Sequence, residues 1–397
     1  MTEQLHLLFI LLFIGFIILV IDKKNKQFPV PMVLLLLGIA LSFVPYFSSL
    51  YLTKDIIFMV FLPALLFASA YKFPVKDLKK NASTIAVLAS IGLILTTLLF
   101  GGAIYALAPA FADISFVGAL LIAAILTPTD PVSVTSILEK TSEDKNISTI
   151  VEGESMINDG TSVVVFTIVA AMFVHGETFS VGSFLGEFLL VSLGGTAIGL
   201  AAGWIITKAV HYMHQHVYQV MLSLLAAYGS FYIAEAAGVS GVLATVCTGI
   251  MVSYALTSTE NEDNLRSYLD GFWNVLEPII LSLLFLLIGI QAADYLVFDG
   301  WLFAVVIFIL SLLVRFVVLG GVLHNPLSIP ASFSWTSISI ITWSGLKGTV
   351  SVALLLSIEA DPNSQADMIV SLTFAAIVLS LVIQSLGEYP IMKKVEK

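Results

Sequence analysis

Leu126-Thr127-Pro128-Thr129-Asp130-Pro131 stands in the middle of an apolar run that covers about residues 114–139. A run of that length and polarity is a candidate for crossing the ~30 Å hydrocarbon core of a bilayer, which takes roughly 20 residues of helix. The two prolines forbid an unbroken helix. Each lacks a backbone N–H, and each pushes its predecessor, Thr127 or Asp130, away from the α region. Carbonyls freed by the break, that of Thr129 among them, can point at a cation. Asp130 lies where the second half-helix would begin, so its charge complements that positive end. Taken alone, the motif fits a proline kink with a capping Asp as well as it fits an ion site.

The rest of the chain makes the membrane reading unavoidable. It has 397 residues, 58% hydrophobic and only 11% charged, with a mean hydropathy of +1.02. Soluble domains run about 45–50% apolar and about 25% charged. A water-soluble enzyme is therefore excluded, and an all-α polytopic membrane protein is expected, with no cofactor and no nucleic-acid partner. Apolar runs fall at about 5–21, 30–47, 55–71, 82–108, 114–139, 147–173, 182–209, 217–235, 238–256, 271–292, 301–323, 332–358 and 367–388. These thirteen spans leave short loops and no soluble domain. With Glu3 and no basic leader or small-residue cleavage site, Leu5–Ile21 reads as a retained first span. The run after the last span, 389–397, is expected to hold no regulatory domain. The single cysteine, Cys247, excludes an internal disulfide framework and reads as a small core residue.

The net charge of −10 says little, because basic residues orient a membrane protein by their position. With the N-terminus outside, fourteen of the seventeen Lys and Arg fall on inner loops or the tail, and Lys54 alone falls outside. Arg315 and Lys347 lie inside spans. That bias supports an odd number of spans and a cytoplasmic C-terminus.

Five ionisable residues stand at mid-membrane: Asp130, Glu154, Asp159, Arg315 and Lys347. At 1.5 Å per residue their depths from the inner face are ~15, ~11, ~18, ~12 and ~22 Å. Charge inside a span is costly and marks function. In Glu152-Gly153-Glu154-Ser155-Met156-Ile157-Asn158-Asp159-Gly160, helical spacing puts Glu154 and Asn158 on one stripe and Ser155 and Asp159 on the next. Such hard oxygen ligands suit a small alkali cation. Burial for packing alone is the other reading, and an acidic pair inside a bilayer argues against it. Arg315 is always charged and must find a partner. Glu154 is assigned to it, because Asp159 and Asp130 are needed free. Lys347, in Trp343-Ser344-Gly345-Leu346-Lys347-Gly348, sits where two glycines let the twelfth span unwind, and it reads as a structural counter-ion. Glu152 and Glu277 lie nearer the inner ends and read as entrance-lining or interfacial. Three acids against two bases leave a formal −1 that one Na⁺ or one proton would balance, which suggests competition for a single site.

At these residues the sequence resembles the monovalent cation/proton antiporters, specifically the sodium/proton exchanger branch with its NhaP-type bacterial members. The matching motifs are Thr129-Asp130-Pro131, Glu154-Ser155-x-x-Asn158-Asp159, Gly241-Val242-Leu243-Ala244, Arg315 and Gly345-Leu346-Lys347-Gly348. The resemblance implies thirteen helices in two inverted repeats, here 1–173 and 217–388 around a linking helix 182–209, with broken fifth and twelfth helices. It implies a homodimer in the cytoplasmic membrane, and an elevator-like movement of a core domain against a dimer domain. It implies Na⁺ held by Asp159, Asp130, Ser155 and the Thr129 carbonyl, a Glu154–Arg315 pair, and Asn158 stabilising the core. Asn before the carrier Asp goes with electroneutral exchange. Lys347 stands where the family usually has Arg, which keeps the charge. The expected function is exchange of Na⁺, and Li⁺ as well, for H⁺ in pH homeostasis.

A K⁺/H⁺ exchanger on the same scaffold and a cation-coupled symporter of a small organic solute stay open. Gly238-Val239-Ser240-Gly241 matches a serine-nucleophile pattern. Its only later histidine, His324, lies at the opposite membrane face, so an intramembrane protease fails on depth. A channel would need a filter motif that is missing. His211, His214 and His216 read as a solvated loop cluster.

Overall fold

Runs of Leu, Ile, Val and Phe leave the backbone no water to bond, so each span closes its own hydrogen bonds as a helix. In the computed structural model, residues 2–24, 29–47, 50, 52–130, 145–176, 179–212, 215–256, 263–324, 333–358 and 364–387 are described. The helices are α1 (Thr2–Lys24), α2 (Val30–Ser42), α3 (Lys54–Lys72), α4 (Val75–Ala110), α5 (Phe116–Leu126), α6 (Lys145–His175) and α7 (Val181–Tyr212). They continue with α8 (His216–Ala236), α9 (Gly241–Leu256), α10 (Asp263–Tyr295), α11 (Trp301–Leu323), α12 (Trp335–Trp343), α13 (Thr349–Leu355) and α14 (Ser364–Leu379). A wide π-type turn, Ser380–Gln384, prolongs α14.

Among the described residues nine helices are long and apolar enough to cross a bilayer, and α2, α5 and α9 are shorter apolar ones. With α12 and α13 as the halves of one broken span, these are the thirteen spans expected. The fifth span stops at Leu126, as the prolines require. Its second half, with Pro131, lies outside the described residues, as does 388–397. Side chains set several starts: Ser115 accepts the Gly118 N–H at α5, Ser334 that of Ser337 at α12, and Ser240 that of Leu243 at α9. Ser240 is thus a helix cap, while His324 stacks on Trp335 at the far end of α11.

The helices pack as two groups. In one, α2 lies along α10, α9 is held between α3, α7 and α8, and α1 covers α10. In the other, α4, α5 and α6 pack together, and α11 joins them to α12 and α14. Contact between the groups runs mainly through α6 against α9 and α7. Glycines allow the closest approaches. A Cβ on Gly38 would lie 2.3 Å from the Leu286 carbonyl oxygen, and one on Gly289 would lie 2.2 Å from that of Leu35. Large apolar side chains such as Phe9, Phe13, Leu190 and Leu193 face outward, as suits a hydrocarbon solvent.

Two readings shift in detail. His211 belongs to the last turn of α7 and His216 opens α8, so they are not loop residues. The His216 ring stacks on Tyr268 with centroids 3.7 Å apart, while His214 lies outside the described residues. Cys247 is only half-buried, on the α9 face that meets Gly199.

Gly38→Leu should lower the melting temperature sharply, since overpacking a close contact costs about 1–3 kcal/mol or more. Gly102→Leu, where nothing lies within 4 Å of a new Cβ, should leave it unchanged. Thermal unfolding in detergent, read by size-exclusion fluorescence, compares the two.

Candidate functional site

The site forms where the two broken spans meet. The Asp130 N–H donates to the Leu346 carbonyl at 2.8 Å, so each break supplies what the other lacks. One carboxylate oxygen of Asp130 accepts the Thr349 N–H at 3.3 Å, at the first residue of α13. Asp130 therefore caps a half-helix, as one reading of its motif had it, and the half-helix described here belongs to the other broken span. Gly348 makes the approach possible: a Cβ there would lie 2.1 Å from an Asp130 carboxylate oxygen.

The unbroken α6 carries the facing residues. Glu154, Ser155, Asn158 and Asp159 are all buried, with Glu154 4% and Asp159 8% exposed. Asp130, Arg315 and Lys347 are 6%, 6% and 4% exposed, so the five mid-membrane charges all lie inside the protein. The Thr129 and Ser155 hydroxyls are hydrogen-bonded to each other at 2.7 Å, and Asn158 Nδ2 donates to Thr129 Oγ1 at 3.2 Å. These bonds tie the break in the fifth span to α6. Asp159 lies one turn beyond Ser155 on the same helix.

Arg315 reaches from α11 and grips Glu154 with two parallel bonds, Nη1 to Oε1 at 2.9 Å and Nη2 to Oε2 at 2.8 Å. This planar fork needs a guanidinium. Its back lies against Gly345, where a Cβ would be 2.6 Å from Arg315 Nε. Glu277, near the middle of α10, bonds to Lys72 in the last turn of α3. Among the described residues no three His, Cys, Asp or Glu gather as a transition-metal site would require. The arrangement gathers hydroxyl, amide and carboxylate groups of the fifth span and α6 in one buried region.

The transmembrane model of the sodium/hydrogen exchangers matches residues 8–394. The chain belongs to that family. Similar relatives include a Na⁺/H⁺ antiporter NhaP of Pseudomonas aeruginosa, 32% identical over 349 residues, which are 86% of this chain and 81% of the relative. The Na⁺/H⁺ antiporter NhaG of Bacillus atrophaeus is 31% identical over 386 residues, 94% of this chain and 72% of its own. The solved structure of the sodium proton antiporter MjNhaP1 from Methanocaldococcus jannaschii matches in fold with a TM-score of 0.76 at 21% identity. It covers 98% of both chains.

Of the residues singled out from the exchanger motifs, Thr129, Asp130, Glu154, Ser155, Asn158, Arg315 and 345–348 lie in this region. Residues 241–244 lie on α9, and Pro131 lies outside the described residues. The sequence reading passed over residues on α14. Gln384, wholly buried in an apolar span, donates to the Trp343 carbonyl at 2.6 Å, and Ser380 accepts the Lys347 N–H at 3.0 Å. The available signal was a side-chain amide inside a span with no charge to balance.

Arg315→Ala should destabilise the protein by about 3–5 kcal/mol, because it leaves the Glu154 carboxylate buried without its partner. The double replacement Glu154→Gln with Arg315→Gln should recover part of that loss. Melting temperatures of the three variants in detergent test the pairing, and no recovery in the double variant would refute it.

Proposed function

We propose that this chain exchanges Na⁺, and Li⁺ with it, for H⁺ across the cytoplasmic membrane, one cation against one proton. The observation that carries the reading is that Asp130, where two chain breaks meet, and Asp159, on the adjoining α6, are both buried carboxylates. Two like charges in a low dielectric repel strongly. A proton or a cation relieves that repulsion equally well by charge, so the two compete and the site alternates between them. Ser155 and the Thr129 carbonyl complete the oxygen set for Na⁺.

The Glu154–Arg315 pair is neutral as a unit, so it supports the site without taking part in the competition. Asn158 adds no charge beside Asp159, which fits exchange without net charge movement. In acid the carboxylates stay protonated and exchange should fall, by mass action. The names of the relatives, Na⁺/H⁺ antiporters, support the substrate assignment.

Access would alternate by movement of the group that carries α4–α6 and α11–α14 against the group around α9. Two inverted repeats, 1–173 and 217–388, would flank the linking helix α7, with 389–397 as a cytoplasmic tail. The outward apolar faces of α1 and α7 suit a homodimer contact. The Lys and Arg distribution supports an outer N-terminus.

Everted vesicles or proteoliposomes carrying an imposed ΔpH, read with a fluorescent pH dye, test the reading. NaCl and LiCl should dissipate ΔpH, choline chloride should not, and Asp159→Asn should abolish the response while the protein still folds. A response to KCl alone would make it a K⁺/H⁺ exchanger, and silence with every cation would favour the symporter. Asn158→Asp adds a carboxylate at the site and should make exchange sensitive to membrane potential. Rates measured with valinomycin-clamped potentials check this, and unchanged insensitivity would count against the charge argument.

A further inference from the structure

We infer that Gln384, acting through Ser380, is a positioning residue for the Asp130 carboxylate and so sets how tightly the site takes its cation. The inference rests on the exchange reading above. A wholly buried side-chain amide in a bilayer-spanning helix needs partners for all its polar atoms. Those of Gln384 are directed at the break between α12 and α13. Its Nε2 donates to the Trp343 carbonyl at 2.6 Å, and its Oε1 accepts the Ser380 hydroxyl. The Ser380 oxygen in turn accepts the Lys347 N–H at 3.0 Å, and the Trp343 indole N–H donates to the Gln384 carbonyl at 3.0 Å. A Cβ on Gly387 would lie 2.4 Å from that indole, so the glycine lets the ring sit against α14.

These bonds grip both edges of the break, Trp343 before it and Lys347 within it. The opposite side of the same few residues holds Asp130. Leu346 accepts the Asp130 N–H, Gly348 lies against its carboxylate, and Thr349 donates to it. Lys347 is the residue between Leu346 and Gly348, so fixing its N–H fixes the two neighbours that bear on Asp130. The wide turn Ser380–Gln384 brings hydroxyl, amide and carbonyl to one place. Such turns within helices frequently occur at functional sites.

A contact that merely glued α14 to α12 would affect stability alone, and the test separates the two roles. Gln384→Met keeps the length and removes both amide links. Ser380→Ala removes the link to Lys347, Ser380→Thr keeps the hydroxyl, and Trp343→Phe removes only the indole bond. In proteoliposomes, Gln384→Met and Ser380→Ala should change the half-saturating Na⁺ concentration by about fivefold to tenfold. Maximal rate should be nearly unchanged in both. Ser380→Thr should behave as wild type, and Trp343→Phe should lower the melting temperature without moving half-saturation. Unchanged half-saturation in folded Gln384→Met and Ser380→Ala would overturn the inference, as would a loss of maximal rate and melting temperature alone. Should Gln384→Met fail to fold, Ser380→Ala decides by the same criteria. Amide hydrogen exchange over 344–349 should be faster in Ser380→Ala, and no change there would also overturn it. If wild type exchanges no cation, the transport reading falls, and hydrogen exchange still decides whether α14 fixes the break.

Discussion

A broken helix inside a bilayer frees backbone groups that water cannot reach, each costing several kcal/mol if left alone. This protein has two such breaks and lets them answer one another, through the Asp130 N–H on the Leu346 carbonyl and the Asp130 carboxylate on the Thr349 N–H. The residue assigned to the ion is thus also part of what holds the two breaks together. Gly345 and Gly348 follow from that closeness, since a side chain at either would strike Arg315 or Asp130.

The buried charges obey the same economy of partners. An ion pair inside a protein is not in itself a strong source of stability, because desolvation offsets most of its attraction. What the bidentate Arg315–Glu154 bond does is confine one acid. Glu154 lies one turn from Asp159 on α6, and unconfined it would add a third negative charge to the pair facing it. The fork holds it in a fixed direction, which a flexible lysine would do less well.

Most of this was legible from the chain itself. Apolar runs located the thirteen spans, and proline and glycine located the breaks near Pro128 and Gly345. The need of an arginine for a partner identified Glu154 across 161 positions of sequence. Less legible was which half-helix Asp130 would cap, because local rules pointed to its own span, while the described contact is made by tertiary packing to α13. The Thr129–Ser155 bond was hidden for a similar reason: both residues read as separate ligands until α6 was set beside the break. Gln384 and Ser380 escaped notice because a search for charge does not register neutral polar groups, although burial makes them equally dependent on partners.

The seam between the two helix groups has its own consequence. Where α6 meets α9, Gly160 lies so close to Leu243 that a Cβ would sit 2.4 Å from that side chain, and Val242 and Ala244 beside it are fully buried and apolar. The polar side chains of α9 are turned elsewhere, Thr245 to the Ala227 carbonyl of α8 and Thr248 to the Gly199 carbonyl of α7. On the proposed assignment, a site carrying unbalanced charge would slide past apolar side chains and bear a desolvation cost. A site filled by either ion would not. On that assignment, the apolar seam disfavours movement of the site without its cargo.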